Sequence, residues 1–150
     1  MNLSWLLFGF RGRLNRARFW IATILAQVAA GAAIVLGGLL TPGSFESNYK
    51  LLVTFAVVLF VIYTFIGFAL SVKRLHDRDK SGWWILLYGV FPGFVQGLAT
   101  TWPETTLALA LNVVGLIVML WGIIVVGFLR GTDGPNRFGP DPLAPDFSPA

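Results

Sequence analysis

The sequence predicts an all-α integral membrane protein: a four-helix bundle with a short N-terminal interfacial segment and both termini cytoplasmic. Three observations predict it. The chain is 56% hydrophobic and 12% charged over 150 residues, against about 25% charged residues in a soluble domain of ordinary composition. Four apolar runs approach the roughly 20 helical residues that cross a hydrocarbon core of about 30 Å. Lysine and arginine gather in alternate connections between those runs, which sets orientation.

The elements follow in order. In "SWLLFGF" Ser4 is expected to cap a short helix lying in the interface, with Trp5, Leu6, Phe8 and Phe10 dipping toward the acyl chains. Gly12 permits a turn, and Asn15 caps the helix that becomes the first span, about 19–40. "TPG" ends that span, and the second covers about 51–72. The third, about 83–102, carries Pro92 and Gly93 near its middle and should kink there. "TWPE" reads as a capping box of Thr101 and Glu104 opening the fourth span, about 105–129. Residues 1–142 thus form one four-span membrane domain, and the proline-rich end "GPDPLAPDFSP" is extended or disordered, with 143–150 as a flexible C-terminal tail. Arginines behind an aromatic start and three later spans favour an uncleaved first helix over a signal peptide.

The charge count gives the orientation. Arg11, Arg13, Arg16 and Arg18 precede the first span, Lys73, Arg74, Arg78 and Lys80 lie between the second and third, and Arg130 and Arg137 follow the fourth. The opposite side holds Lys50 with Glu46 and Glu104, so the basic side is cytoplasmic and the location is the inner membrane, N-in and C-in. Trp20, Trp83, Trp84 and Trp102 fall at span ends, where indoles anchor in the headgroup region. The net charge of +4 suits anionic lipid or nucleic acid, and hydrophobicity decides for lipid. With no cysteine, disulfides, thiolate metal sites and cysteine nucleophiles are excluded, and a single histidine makes a multi-histidine metal site implausible. No cofactor is expected.

Three stretches now group together. Phe10, Gly12, Arg13, Arg16, Phe19 and Trp20 form the first; Arg74, Leu75, His76, Asp77, Ser81, Gly82, Trp83 and Trp84 the second; Gly131, Thr132, Gly134, Asn136, Gly139, Pro140, Asp141 and Pro142 the third. In order and spacing they resemble the signatures of the domain of unknown function 805 family, small bacterial inner-membrane proteins usually predicted to have four spans. The chain departs from that pattern at Lys73, where arginine is common, at Asp79, where glycine is frequent, and at Phe138, where tyrosine is usual. The resemblance implies a membrane bundle and no particular activity.

All three stretches lie on the basic side, so their polar residues can converge. One reading is structural: Asp77 pairs with an arginine, His76 donates to a carbonyl, Ser81 caps the third helix, and Asn136 and Asp141 complete a polar network. Another is an anion or headgroup site formed by Arg11, Arg13, Arg16, Arg74, His76 and Lys80, because arginine forks match phosphate. Catalysis by His76 oriented by Asp77 is the third, without an accompanying nucleophile, metal set or carboxylate pair. No Asp, Glu, Lys, Arg or His lies inside a span, and Gln27, Gln96 and Asn112 are the strongly polar residues there. Ala22, Ala26 and Ala30 make a small-residue stripe on which helices can close, within the monomer, in a homo-oligomer or against a membrane partner. The expectation is a non-catalytic accessory or anionic-lipid-interacting component; a small transporter or lipid translocator is the alternative, and a membrane enzyme comes third.

Overall fold

The computed structural model describes residues 2–43 and 45–145. Among them every regular element is helical, and the only sheet-like pairing is an isolated bridge between Asn136 and Gly139. A short helix α1 (Leu3–Phe8) leads into α2 (Arg16–Leu40) and α3 (Phe45–Asp77). A π-helical turn (Leu86–Val90) opens α4 (Phe91–Ala99), and α5 (Thr106–Ile123) continues into a second π turn (Ile124–Phe128).

Three stretches, Arg16–Leu40, Asn48–Asp77 and Thr106–Phe128, are long and apolar enough to cross a membrane. Leu86–Ala99 is a shorter apolar helix, whose rise of about 21 Å falls short of a 30 Å core. Their apolar side chains face outward along most of their length, as with Leu40 at 79% exposure, Phe60 at 68% and Leu109 at 65%. Water would penalise so continuous an apolar surface, whereas lipid solvates it.

Local chemistry explains the element boundaries and corrects three expectations. Asn2, not Ser4, caps α1: its side-chain oxygen accepts from the Ser4 N–H at 3.0 Å and from the Ser4 hydroxyl at 2.6 Å. Ser4 lies within the first turn, too late to cap it. Asn15 does cap α2, accepting from the Arg18 N–H at 2.9 Å. Thr105, not Thr101, caps α5 and accepts from the Ala108 N–H at 3.1 Å. Glu104 just before it takes a left-handed φ of 63°, which places it outside the helix and forbids the expected capping box. Pro92 sits directly after the π turn, where the winding changes and its missing donor falls. Finally, α3 runs on to Asp77, so Lys73, Arg74, His76 and Asp77 occupy a helix rather than the expected connecting loop.

The packing is concentrated at one end. α2 pairs with α3, and α4 with α5, while the second π turn is what meets α2 and α3. Leu6, Leu14, Phe19, Leu70, Leu75, Tyr88, Val125 and Val126 form the buried cluster, all within a few turns of the end that carries the basic segments. Away from it the two hairpins present their sides outward. The fold is therefore fastened at its basic end.

Candidate functional site

The fastening is polar. Arg13, Lys73, Arg74 and Asp77 are all buried, Arg13 at 1% exposure and Arg74 at 0%. Burying charges is costly unless each is paired and fully hydrogen-bonded. Asp77 ends α3 and receives two guanidinium groups: Arg13 Nε donates to Oδ1 at 3.2 Å, and Arg74, one turn earlier, donates to Oδ2. The remaining donors of Arg13 reach the carbonyls of Thr132 at 2.6 Å and Gly134 at 2.5 Å, on the segment that follows α5. Arg74 Nε donates to the Val126 carbonyl at 3.0 Å and its other terminal nitrogen to Leu129.

These bonds belong to a larger pattern. The last carbonyls of a helix have no partners within it and carry the negative end of its dipole. At the end of α5 every carbonyl from Val125 to Leu129 accepts from a side chain. Arg78 donates to Val125 at 3.2 Å, Arg74 to Val126 and Leu129, the Trp20 indole to Gly127 at 3.0 Å, and Arg16 to Phe128 at 3.0 Å. Lys73 does the same for α1, donating to Trp5 at 2.7 Å and Leu6 at 2.5 Å with its ammonium 4.7 Å above the Trp5 ring. The cations thus cap two helix ends and join three chain segments.

The segment after α5 lies across the end of α3 as a strap. The Thr132 N–H donates to the Asp77 carbonyl at 2.8 Å, and Asn136 Nδ2 donates to the His76 carbonyl at 2.9 Å. Gly131 lies so close to the Asp77 carboxylate that a Cβ there would overlap it. Asp141 accepts from the Leu143 and Gly134 N–H groups, each at 2.9 Å, and these two bonds hold its carboxyl below the usual carboxylate range. Pro142 is buried. The stretch through Asp141 is therefore tied down where an extended or disordered tail was expected, and residues 146–150 of that tail lie outside the described residues.

The sequence-predicted site residues divide into two groups. Arg13, Arg16, Arg74, Asp77, Asn136 and Asp141 meet around the strap. His76 lies beside them, its Nδ1 3.2 Å from the Gly12 carbonyl and its ring stacked on Phe138 at 3.9 Å. A carbonyl only accepts, so Nδ1 carries the proton. His76 and Asp77 engage different partners, and the carboxylate does not orient the ring. Ser81 Oγ stands 3.5 Å from the Trp83 N–H, too long for a strong cap. Arg11 is exposed, Lys80 places its ammonium 4.7 Å over Trp84, and Trp83 and Trp102 are exposed. Trp20 is half-buried and packs against the core. The cleft bounded by Asn15, Arg16, Asp77 and Asp141 holds about 50 Å³. Among the described residues no three of His, Asp or Glu are grouped to hold a metal.

The same residues carry the relationship to known proteins. The model of the family described as "Protein of unknown function (DUF805)" matches residues 7–140, from the turn before Arg13 to the end of the strap. The chain belongs to the DUF805 family. It is 31% identical over 138 residues to inner membrane protein YhaI of Escherichia coli K12, covering 89% of this chain and 86% of that protein. It is 28% identical over 141 residues to the uncharacterized protein YiiR of the same strain, covering 94% and 90%, and 27% identical over 134 residues to inner membrane protein YhaH, covering 89% and 87%. No solved structure matches the chain. This DUF805 protein shares nearly its whole length with inner-membrane relatives, and its own helices are apolar enough to lie in a membrane.

The sequence gives Lys73 and Arg78 a part in orientation and Gly131 a place in the third stretch, and assigns none of them a partner. Helical spacing signalled that Arg74 and Asp77 meet, at i and i+3 once α3 is carried to Asp77, but it named no partner for Lys73 or for Arg78, which lies in the turn after the helix. Gly131 stands in the third stretch, but its neighbour Asp77 is far away in sequence and nothing local announces their contact.

Proposed function

We propose that the protein is a non-catalytic accessory component of the inner membrane that holds anionic phospholipid at its basic end, with four spans and both termini cytoplasmic. One observation carries the reading. The buried arginines spend their donors on the protein's own acceptors, while Arg11 and Lys80 remain at the same end beside Trp5 and Trp84. Cations next to interfacial indoles, Arg11 exposed and Lys80 half-buried over Trp84, suit an anionic leaflet, where each contributes about 1 kcal/mol. The orientation rests on the same charges, since positive segments near spans stay cytoplasmic. A catalytic role is disfavoured by the separate engagements of His76 and Asp77.

The test is lipid retention by the purified protein, read by native mass spectrometry. Arg11→Gln with Lys80→Gln should release phosphatidylglycerol preferentially over phosphatidylethanolamine, by an order of magnitude or more for two charges. Equal retention of both lipids in the parent, or an unchanged ratio in the variant, overturns the headgroup reading. Accessibility of Ser81→Cys and Thr100→Cys to an impermeant thiol reagent tests the orientation, with Thr100→Cys labelled from outside and Ser81→Cys protected.

A further inference from the structure

A cleft of about 260 Å³ lies directly beneath the arginine clamp, where the two helical hairpins meet. Both π turns contribute to its wall, Tyr88 and Gly89 from the first and Val126 and Gly127 from the second. π turns occur as single insertions in helices, frequently at functional sites. Two of them bordering one space make that space the most unusual feature of the hairpin junction.

The wall is apolar except for three hydroxyls, those of Thr23, Ser71 and Tyr88. A Thr or Ser hydroxyl inside an apolar helix ordinarily donates to a carbonyl one turn back, as Thr54 does to Lys50 at 2.8 Å. Among the described residues none bonds the hydroxyls of Thr23, Ser71 or Tyr88, and none of the three oxygens is itself enclosed by protein, so each keeps accessible surface at the cleft. Donors left open on an otherwise apolar wall, away from bulk water, call for an acceptor from outside the chain. The depth fits as well. Thr23 lies two turns into α2 and Ser71 less than two turns before Asp77, which puts the hydroxyls just below the charged clamp.

We infer that this cleft binds the ester-carbonyl region of a membrane diacyl lipid, with Tyr88, Thr23 and Ser71 donating to its carbonyl oxygens. An ester carbonyl accepts and does not donate, which matches a set of hydroxyl donors, and the fatty chains continue along the apolar wall. Recognition is of the carbonyls, so it is independent of headgroup charge and of the Arg11 and Lys80 reading. A quinone would present the same carbonyl chemistry, and the test separates the two.

The protein, purified in mild detergent, is loaded in separate samples with diester phosphatidylethanolamine, its diether analogue, which lacks the carbonyls, or ubiquinone. Retention is read by native mass spectrometry. The parent should hold the diester lipid about tenfold better than the diether. Tyr88→Phe and Ser71→Ala should each lower diester retention about fivefold and leave diether retention unchanged, because one neutral hydrogen bond is lost. Gly89→Leu should lower both, since a Cβ at Gly89 meets only Ile85 and Phe68 at ordinary contact distance and the added side chain fills the cleft. Preferential retention of ubiquinone over the diester lipid overturns the assignment to lipid esters. Equal retention of diester and diether lipid overturns carbonyl recognition and leaves the hydroxyls to water.

Discussion

Arg13 and Asp77 stand 64 positions apart and meet in the interior, with Arg13 Nε donating to Asp77 Oδ1 at 3.2 Å. Arg74 closes on the other oxygen of the same carboxylate, so one buried anion serves two buried cations. Removing the anion leaves both guanidinium groups facing each other, and breaking a buried pair costs about 3–5 kcal/mol. Asp77→Asn should therefore lower thermal stability in detergent by more than any exposed charge change, such as Asp133→Asn in the exposed Arg130 pair, which is expected to cost at most about 1 kcal/mol.

Gly131 provides a steric test of the same contact. A methyl group there would overlap the Asp77 carboxylate, so Gly131→Ala must displace the strap or the clamp. Loss of about 2–4 kcal/mol is expected. Because both changes break one network, Gly131→Ala and Asp77→Asn should be strongly non-additive. Gly134→Ala is the contrasting case: its space is open but its φ is +72°, so it should cost only about 1 kcal/mol of left-handed strain. Fluorescence-monitored melts of the three variants decide the order.

Asp141 gives the strap a pH dependence. Its carboxylate accepts from Leu143 and Gly134 N–H groups, and its folded pKa lies below the ordinary 3.8. A carboxyl with a lowered folded value binds protons more readily when unfolded, so stability rises with pH across that window. The contribution should be complete above the ordinary value and fade as pH falls through the lowered one. Melts of the parent and Asp141→Asn should differ by a constant amount above pH 5 and converge in stronger acid. Convergence at pH 6 or above would be incompatible with this origin.

Apolar run length and the asymmetry of lysine and arginine made the helical membrane character legible, because both act locally along the chain. The third run ends at Ala99 where about 102 is expected, because composition alone does not reveal that Thr100 to Glu104 form turns. Asn15 was legible as a cap because a polar residue before a helix has one local use. Ser4 and Thr101 competed with Asn2 and Thr105 within a few positions, where caps are hardest to place. The clamp was visible only as a set of residue types. The carbonyls that Arg16, Arg74 and Arg78 take depend on the second π turn and those of Arg13 on the strap, features no periodicity announces. Asp79 adopts φ of +54° and pairs with Arg137 at 3.1 Å, so a non-glycine residue fills a left-handed turn position that favours glycine.

The capped carbonyls at the end of α5 separate charge from geometry. Membrane insertion counts lysine and arginine alike, so replacing Arg13, Arg16, Arg74 and Arg78 by lysine should leave orientation unchanged in the thiol-labelling assay. Stability should respond differently at each position. Arg74 serves three acceptors in different directions, Asp77, Val126 and Leu129, and a lysine ammonium on a single stem cannot reach all three. Arg74→Lys should cost about 3 kcal/mol or more, with Arg13→Lys close behind because its fork joins Asp77 to Thr132 and Gly134. Arg16 makes one such bond at an exposed site, so Arg16→Lys should cost under about 1 kcal/mol. If all four lysine variants melt with the parent, the arginines act through charge alone and the carbonyl caps contribute nothing measurable to the fold.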